Sequence, residues 1–136
     1  MNALKIIFSF SFFILISSIT FSQTPENKGV AKIHFEEESF DFGDIYQGDV
    51  VQHTFILKNT GSAPLLLTNV ATTCGCTAPN WSREPILPGK ESEILVKFDS
   101  RGKSGIQNKI ITIYSNAETP QTRVKITTNV LPAKQN

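Results

Sequence analysis

Two cysteines, two histidines, one tryptophan and one methionine make up most of what this 136-residue chain has of the side chains that carry redox, metal or soft nucleophilic chemistry. That scarcity excludes much. Neither histidine, His34 or His53, has an identifiable serine or cysteine nucleophile beside it in the pattern, so no Ser-His-Asp arrangement can be nominated. Clustered carboxylates occur only as Glu36, Glu37 and Glu38, which read as a solvated run. No basic excess exists either: thirteen Lys and Arg stand against twelve Asp and Glu. Phosphate neutralisation needs a basic face, so nucleic acid is excluded as a partner class. The residues call for no cofactor.

Long apolar runs are absent except at the N-terminus, where Lys5 precedes IIFSFSFFILISSITF and the run ends in small residues. That layout predicts a signal peptide over residues 1–22, cut after Ser22 with Thr20 and Ser22 in the small-residue positions. The run falls short of the roughly 20 apolar residues a spanning helix needs, so no membrane span is expected after cleavage. Cleavage would also remove Lys5, leaving 114 residues with balanced charge, enough for one domain in a secreted or periplasmic setting.

Helical periodicity is missing too, and apolar residues recur at every second position instead, the mark of half-buried strands. VVQHTFILKN places Val51, His53, Phe55 and Leu57 on one face, with Ile56 as the exception. ESEILVKFD turns Ile94, Val96 and Phe98 inward; NKIITIYSN offers Ile111 and Ile113; TRVKITTNV offers Val124, Ile126 and Val130. Each such side chain contributes roughly 1.5 to 3 kcal/mol when fully buried, enough together to define a core. NTGSAP at 59–64, Pro88-Gly89 in LPGK and the polar DSRGKSG at 99–105 punctuate the runs, and the Pro-Gly pair suits the centre of a type II turn. About seven or eight short strands follow, an all-β antiparallel sandwich. Residues 23–36 form a lead-in with a candidate first strand, 37–131 the sandwich and 132–136 a tail.

Phe42-Gly43, His53 to Phe55, Asn59 to Gly61, Cys74 to Thr77, Pro88-Gly89 and Ser115-Asn116, in this order, resemble a bacterial secreted domain of unknown function with a CGCT signature. That domain is distantly related to the ASPM, SPD-2 and Hydin immunoglobulin-like domains. The resemblance covers nearly all of residues 37–131 and implies an immunoglobulin-like sandwich in an envelope or secreted setting. It implies no biochemical activity.

The cysteines cannot form the inter-sheet bridge of an ordinary immunoglobulin domain, because Cys74 and Cys76 are one glycine apart and Trp81 follows both. Trp81 is expected to pack over the loop after the third strand. Four readings of the pair stay open, one of them covalent linkage to another protein. In the structural reading, Gly75 makes a tight turn or bulge at the end of the third strand, and the sulfurs are small fillers or a local clip. In the redox reading, an oxidising compartment joins the pair, the small ring is strained and exposed, and the bond is easily reduced. Against it, no Lys, Arg or His lies within several residues to favour a thiolate. In the metal reading, Cys74, Cys76 and His53 come together at one end of the sandwich to hold copper or zinc, with His34 a weaker candidate.

Other motifs fail on context. DFG at 41–43 lacks every other kinase element, and GKS at 102–104 lacks the first phosphate-loop glycine and a following helix. NWS at 80–82 is a glycosylation sequon only in form. Two function classes result: a non-enzymatic binding or structural module of the cell envelope, with an envelope or extracellular protein as partner, and a small redox or metal-handling protein centred on Cys74-Gly75-Cys76.

Overall fold

A computed structural model of the chain describes residues 28–135; the expected signal peptide lies outside the described residues. Eight strands follow one another: β1 (Ile33–Phe35), β2 (Ser39–Tyr46), β3 (Val50–Asn59), β4 (Leu67–Thr72), β5 (Thr77–Trp81), β6 (Glu91–Asp99), β7 (Gly105–Ser115) and β8 (Gln121–Leu131). They form two four-stranded sheets, β1-β3-β6-β5 and β2-β8-β7-β4. Among the described residues no helix is long and apolar enough to cross a membrane.

The period-two pattern is realised as burial. Phe55, Leu57, Ile94, Val96, Phe98, Ile111 and Ile113 are fully buried between the sheets, and Val124, Ile126 and Val130 nearly so. The expected inward faces of β3, β6, β7 and β8 therefore meet in one core. Two further residues from the lead-in, Ala31 and Phe35, join it. β1 pairs with β3 from Ile33 opposite Asn59 to Phe35 opposite Leu57.

One ladder departs from the antiparallel expectation. β2 runs parallel to β8, from Ser39 opposite Lys125 to Tyr46 opposite Leu131. The chain leaves the first sheet after Phe35 and enters the second at Ser39, so the partners are near opposite ends of the described chain. A parallel pair needs a long connection, and almost the whole domain supplies it. The DFG triplet sits where this ladder bulges between Asp41 and Asp44. Gly43 takes φ 68° there, its N–H donates to Asp41 Oδ1, and Thr128 Oγ1 donates to its carbonyl.

Candidate functional site

The cysteines occupy the corner where the chain leaves β4 in one sheet and enters β5 in the other, after the fourth strand rather than the third. Both β1 and β2 precede β3, one strand more than a corner after the third strand requires. Cys74 and Cys76 are bonded to each other, with Cα atoms 5.3 Å apart. Thr72 Oγ1 donates to the carbonyls of Cys74 and Thr77, the Thr77 N–H donates to the Cys74 carbonyl, and the Asp99 N–H donates to that of Cys76. The corner is thereby tied to both sheets by hydrogen bonds that do not involve the sulfurs.

Gly75 lies in a tight turn between β4 and β5, closed by the Thr77 N–H donating to the Cys74 carbonyl. Its φ is outside the left-handed region, and a Cβ there would meet nothing within 4 Å. Neither backbone conformation nor packing within the chain demands glycine at this exposed apex.

Thr77 is the residue the sequence reading passed over. It is buried, and its Oγ1 lies 3.8 Å from Cys74 Sγ and 4.0 Å from Cys76 Sγ. Cys76 packs against the hydrophobic core, whereas Cys74 is not part of that packing. Lys109, far away in sequence, lies with its ammonium 5.9 Å from the centre of the Phe98 ring, and Phe98 is the ladder partner of Thr77. Only strand pairing could reveal that neighbourhood.

The trio of Cys74, Cys76 and His53 is not assembled. His53 lies on β3 opposite Val96, while β5 carries the corner on the far side of β6. Its ring stacks on Phe40 at 3.7 Å between centroids, meets Phe55 edge-on at 4.8 Å, and its Nε2 contacts Glu37 Oε1. His53 is thus a rim residue fastened by aromatic packing and a carboxylate from the expected solvated run. Among the described residues no three His, Cys, Asp or Glu side chains group as metal ligands. His34 is exposed on β1. Trp81 ends β5 instead of covering a loop; it packs against the core, with the Arg83 guanidinium 4.6 Å from the ring centre.

The opposite end of the sandwich is held by a buried asparagine. Asn59, read from the sequence as a turn residue, is fully buried at the end of β3. Its Nδ2 donates to the carbonyls of Ala63 and Ile86, both at 2.8 Å. Its Oδ1 accepts from the N–H of Gly61 and of Lys32, so the side chain is satisfied in full. Gly61 is needed for a steric reason: a Cβ there would lie 2.1 Å from the Val30 carbonyl oxygen. Pro88-Gly89 closes a turn from Leu87 to Lys90 with Gly89 at φ 78°, and the Gly89 N–H donates to the Asn59 carbonyl. Asn116 accepts from the Leu66 N–H and donates to the Pro64 carbonyl.

Near the cysteine corner, β7 is left half-uncovered. β4 pairs with β7 only from Leu67 opposite Ser115 to Thr72 opposite Ile111. Gly105 to Ile110 therefore pair with β8 alone, and one backbone edge is open among the described residues. Ile106 is 76% exposed and Ile110 40% exposed, on the face away from buried Ile111 and Ile113. In the loop before β7, hydrogen bonds from the Arg101 guanidinium, joined by its backbone N–H, hold the Asp99 carboxyl below the ordinary aspartate value. The same carboxylate raises Arg101.

Comparison with known proteins agrees with this architecture. A Porphyromonas gingivalis W83 protein of unknown function superposes with a TM-score of 0.62 at 22% identity, over 75% of this chain and 47% of that one. The chain thus spans about half the length of that relative. The seventh PapD-like domain of human CEP192 superposes at 0.63 with 10% identity, over 77% of this chain and 89% of that one. The YadV chaperone does so at 0.55 with 17% identity, over 76% and 54%. No curated protein matches. These likenesses establish a PapD-like, immunoglobulin-like fold, and a family match over residues 33–130 adds descent to it: the chain belongs to the family described as protein of unknown function, DUF1573.

Proposed function

We propose that this protein is a non-enzymatic binding module of the bacterial cell envelope, secreted or periplasmic, which engages an envelope or extracellular protein by taking up one of its extended segments. The observation that carries this reading is the uncovered edge of β7 from Gly105 to Ile110. An exposed edge presents unpaired N–H and C=O groups that an added strand satisfies. Ile106 and Ile110 lie four residues apart on one face and supply apolar contacts at strand spacing. The N-terminal apolar run supports an extracytoplasmic setting, and the chaperone and PapD-like neighbours support a fold suited to binding. The family description supplies no activity that competes with it.

The test is affinity capture from an envelope fraction using the wild type and the double variant Ile106→Lys, Ile110→Lys, followed by measurement of the captured protein's affinity for each. Both side chains are exposed, so the variant should fold. Affinity should fall at least about tenfold, a change of about 1.4 kcal/mol. Unchanged affinity would place binding elsewhere on the domain.

A further inference from the structure

The cysteine corner carries chemistry that strand uptake at β7 does not use. The bond joins residues two apart at an exposed apex, where the glycine between them answers to no demand of the chain. Among the described residues the buried hydroxyl of Thr77 has only the two sulfurs as hydrogen-bond partners. A disulfide sulfur carries no proton, so the hydroxyl donates. It donates to weak acceptors now and would donate to a far stronger one if either sulfur became a thiolate. Lys109 on β7 holds its ammonium 5.9 Å from the ring of Phe98, the ladder partner of Thr77. Asymmetry is built in as well, since Cys76 leans on the core and Cys74 does not.

We infer that Cys74–Cys76 is a thiol–disulfide exchange site, with Cys74 the sulfur attacked and Thr77 the donor that stabilises the thiolate released. An incoming thiolate attacks Cys74 Sγ; a new sulfur–sulfur bond forms as the Cys74–Cys76 bond breaks, and its electron pair leaves on Cys76 Sγ. A second thiolate then attacks the incoming sulfur of this mixed disulfide and expels Cys74 as a thiolate. The two incoming thiols depart joined as a disulfide, the cysteine pair gains two electrons, and one proton from solvent leaves a thiol beside a thiolate that Thr77 holds. Access selects Cys74, because an attacking sulfur must reach the bond from the solvent side. The open apex at Gly75 leaves room for it.

The full chain would be equilibrated in glutathione redox buffers while folded, quenched with an alkylating agent and read by intact mass. Thr77→Val should lower the equilibrium constant for reduction about tenfold, equivalent to about 30 mV for a two-electron couple, and Thr77→Ser, which keeps the hydroxyl, should restore it. Oxidised glutathione should form a mixed disulfide at Cys74 in Cys76→Ser at least about tenfold faster than at Cys76 in Cys74→Ser. A second arm offers a cysteine-bearing unfolded polypeptide at the same thiolate concentration. Faster exchange there assigns the natural reactant to protein thiols, and equal exchange to small thiols. The inference is overturned by exchange in neither arm unless the protein is unfolded, by equal rates for the two single variants, or by an equilibrium indifferent to Thr77→Val.

Discussion

The two ends of this sandwich are fastened in opposite ways. At one end Asn59, buried and satisfied by four hydrogen bonds, gathers the segments around Lys32, Gly61, Ala63 and Ile86 without a covalent link. At the other, a covalent bond spans a single intervening residue, and half of β7 goes uncovered beside it. The disulfide closes too small a loop to restrain the unfolded chain much: the chain-entropy relation gives at most about 1.6 kcal/mol for three residues. The amide, in contrast, makes four hydrogen bonds to buried and part-buried backbone groups of separate segments. Stability should therefore reside at the asparagine end, which leaves the cysteine end free to exchange and bind.

The largest test of that contrast is Asn59→Ala. It removes four hydrogen bonds, those to the Ala63 and Ile86 carbonyls and from the Gly61 and Lys32 N–H groups, leaving the Ile86 carbonyl only the Leu65 N–H, and should cost about 3 to 5 kcal/mol in denaturant unfolding. A loss below about 1 kcal/mol would remove the asymmetry. Asn116→Ala breaks two hydrogen bonds on the more exposed rim of the same end, and should lower stability by about 1 to 2 kcal/mol in the same assay. At the cysteine end, Cys74→Ser with Cys76→Ser should lower stability by no more than about 1.6 kcal/mol, with the hydrogen bonds of the Thr72 hydroxyl and of the Thr77 and Asp99 N–H groups preserving the corner. A loss as large as that of Asn59→Ala would show that the bond is a staple.

The smallest effect belongs to Arg101→Gln. Asp99 has a lowered folded-state value, so the pair's contribution is present above the ordinary aspartate range and is lost as pH falls through the lowered value. Carboxyl titration by NMR should show Asp99 moving up towards the ordinary value in the variant, while the unfolding midpoint at neutral pH stays put, as expected of an exposed pair. A shifted midpoint would mean that the loop before β7 bears more of the fold.

Period-two burial made most of the core legible in the sequence, because a strand face is a local property: Phe55, Ile94, Phe98, Ile113 and Val124 need only their neighbours to declare themselves. Pro88-Gly89 was legible for the same reason. What escaped depends on which strands lie side by side. Asn59 looks like a turn residue until Ile86 and Lys32 are brought to it, and Thr77 looks like ordinary strand until both sulfurs lie over its hydroxyl. Nothing local places the Lys109 ammonium over Phe98, or Phe98 beside Thr77. His53 misled because inward direction was legible, while its place along β3, three residues from the strand's start and beside Phe40, was not. The parallel β2–β8 ladder went unread because a short sheet-to-sheet switch after Phe35 leaves no periodicity of its own.

The most direct measurement is urea unfolding of the wild type with the Cys74–Cys76 bond intact and after its reduction, run beside oxidised Asn59→Ala. The expected result is a folded reduced protein within about 1.6 kcal/mol of the oxidised one, with Asn59→Ala at least about 3 kcal/mol below it. A reduced protein that loses as much as Asn59→Ala would contradict the division between a fastened end and an exchangeable one.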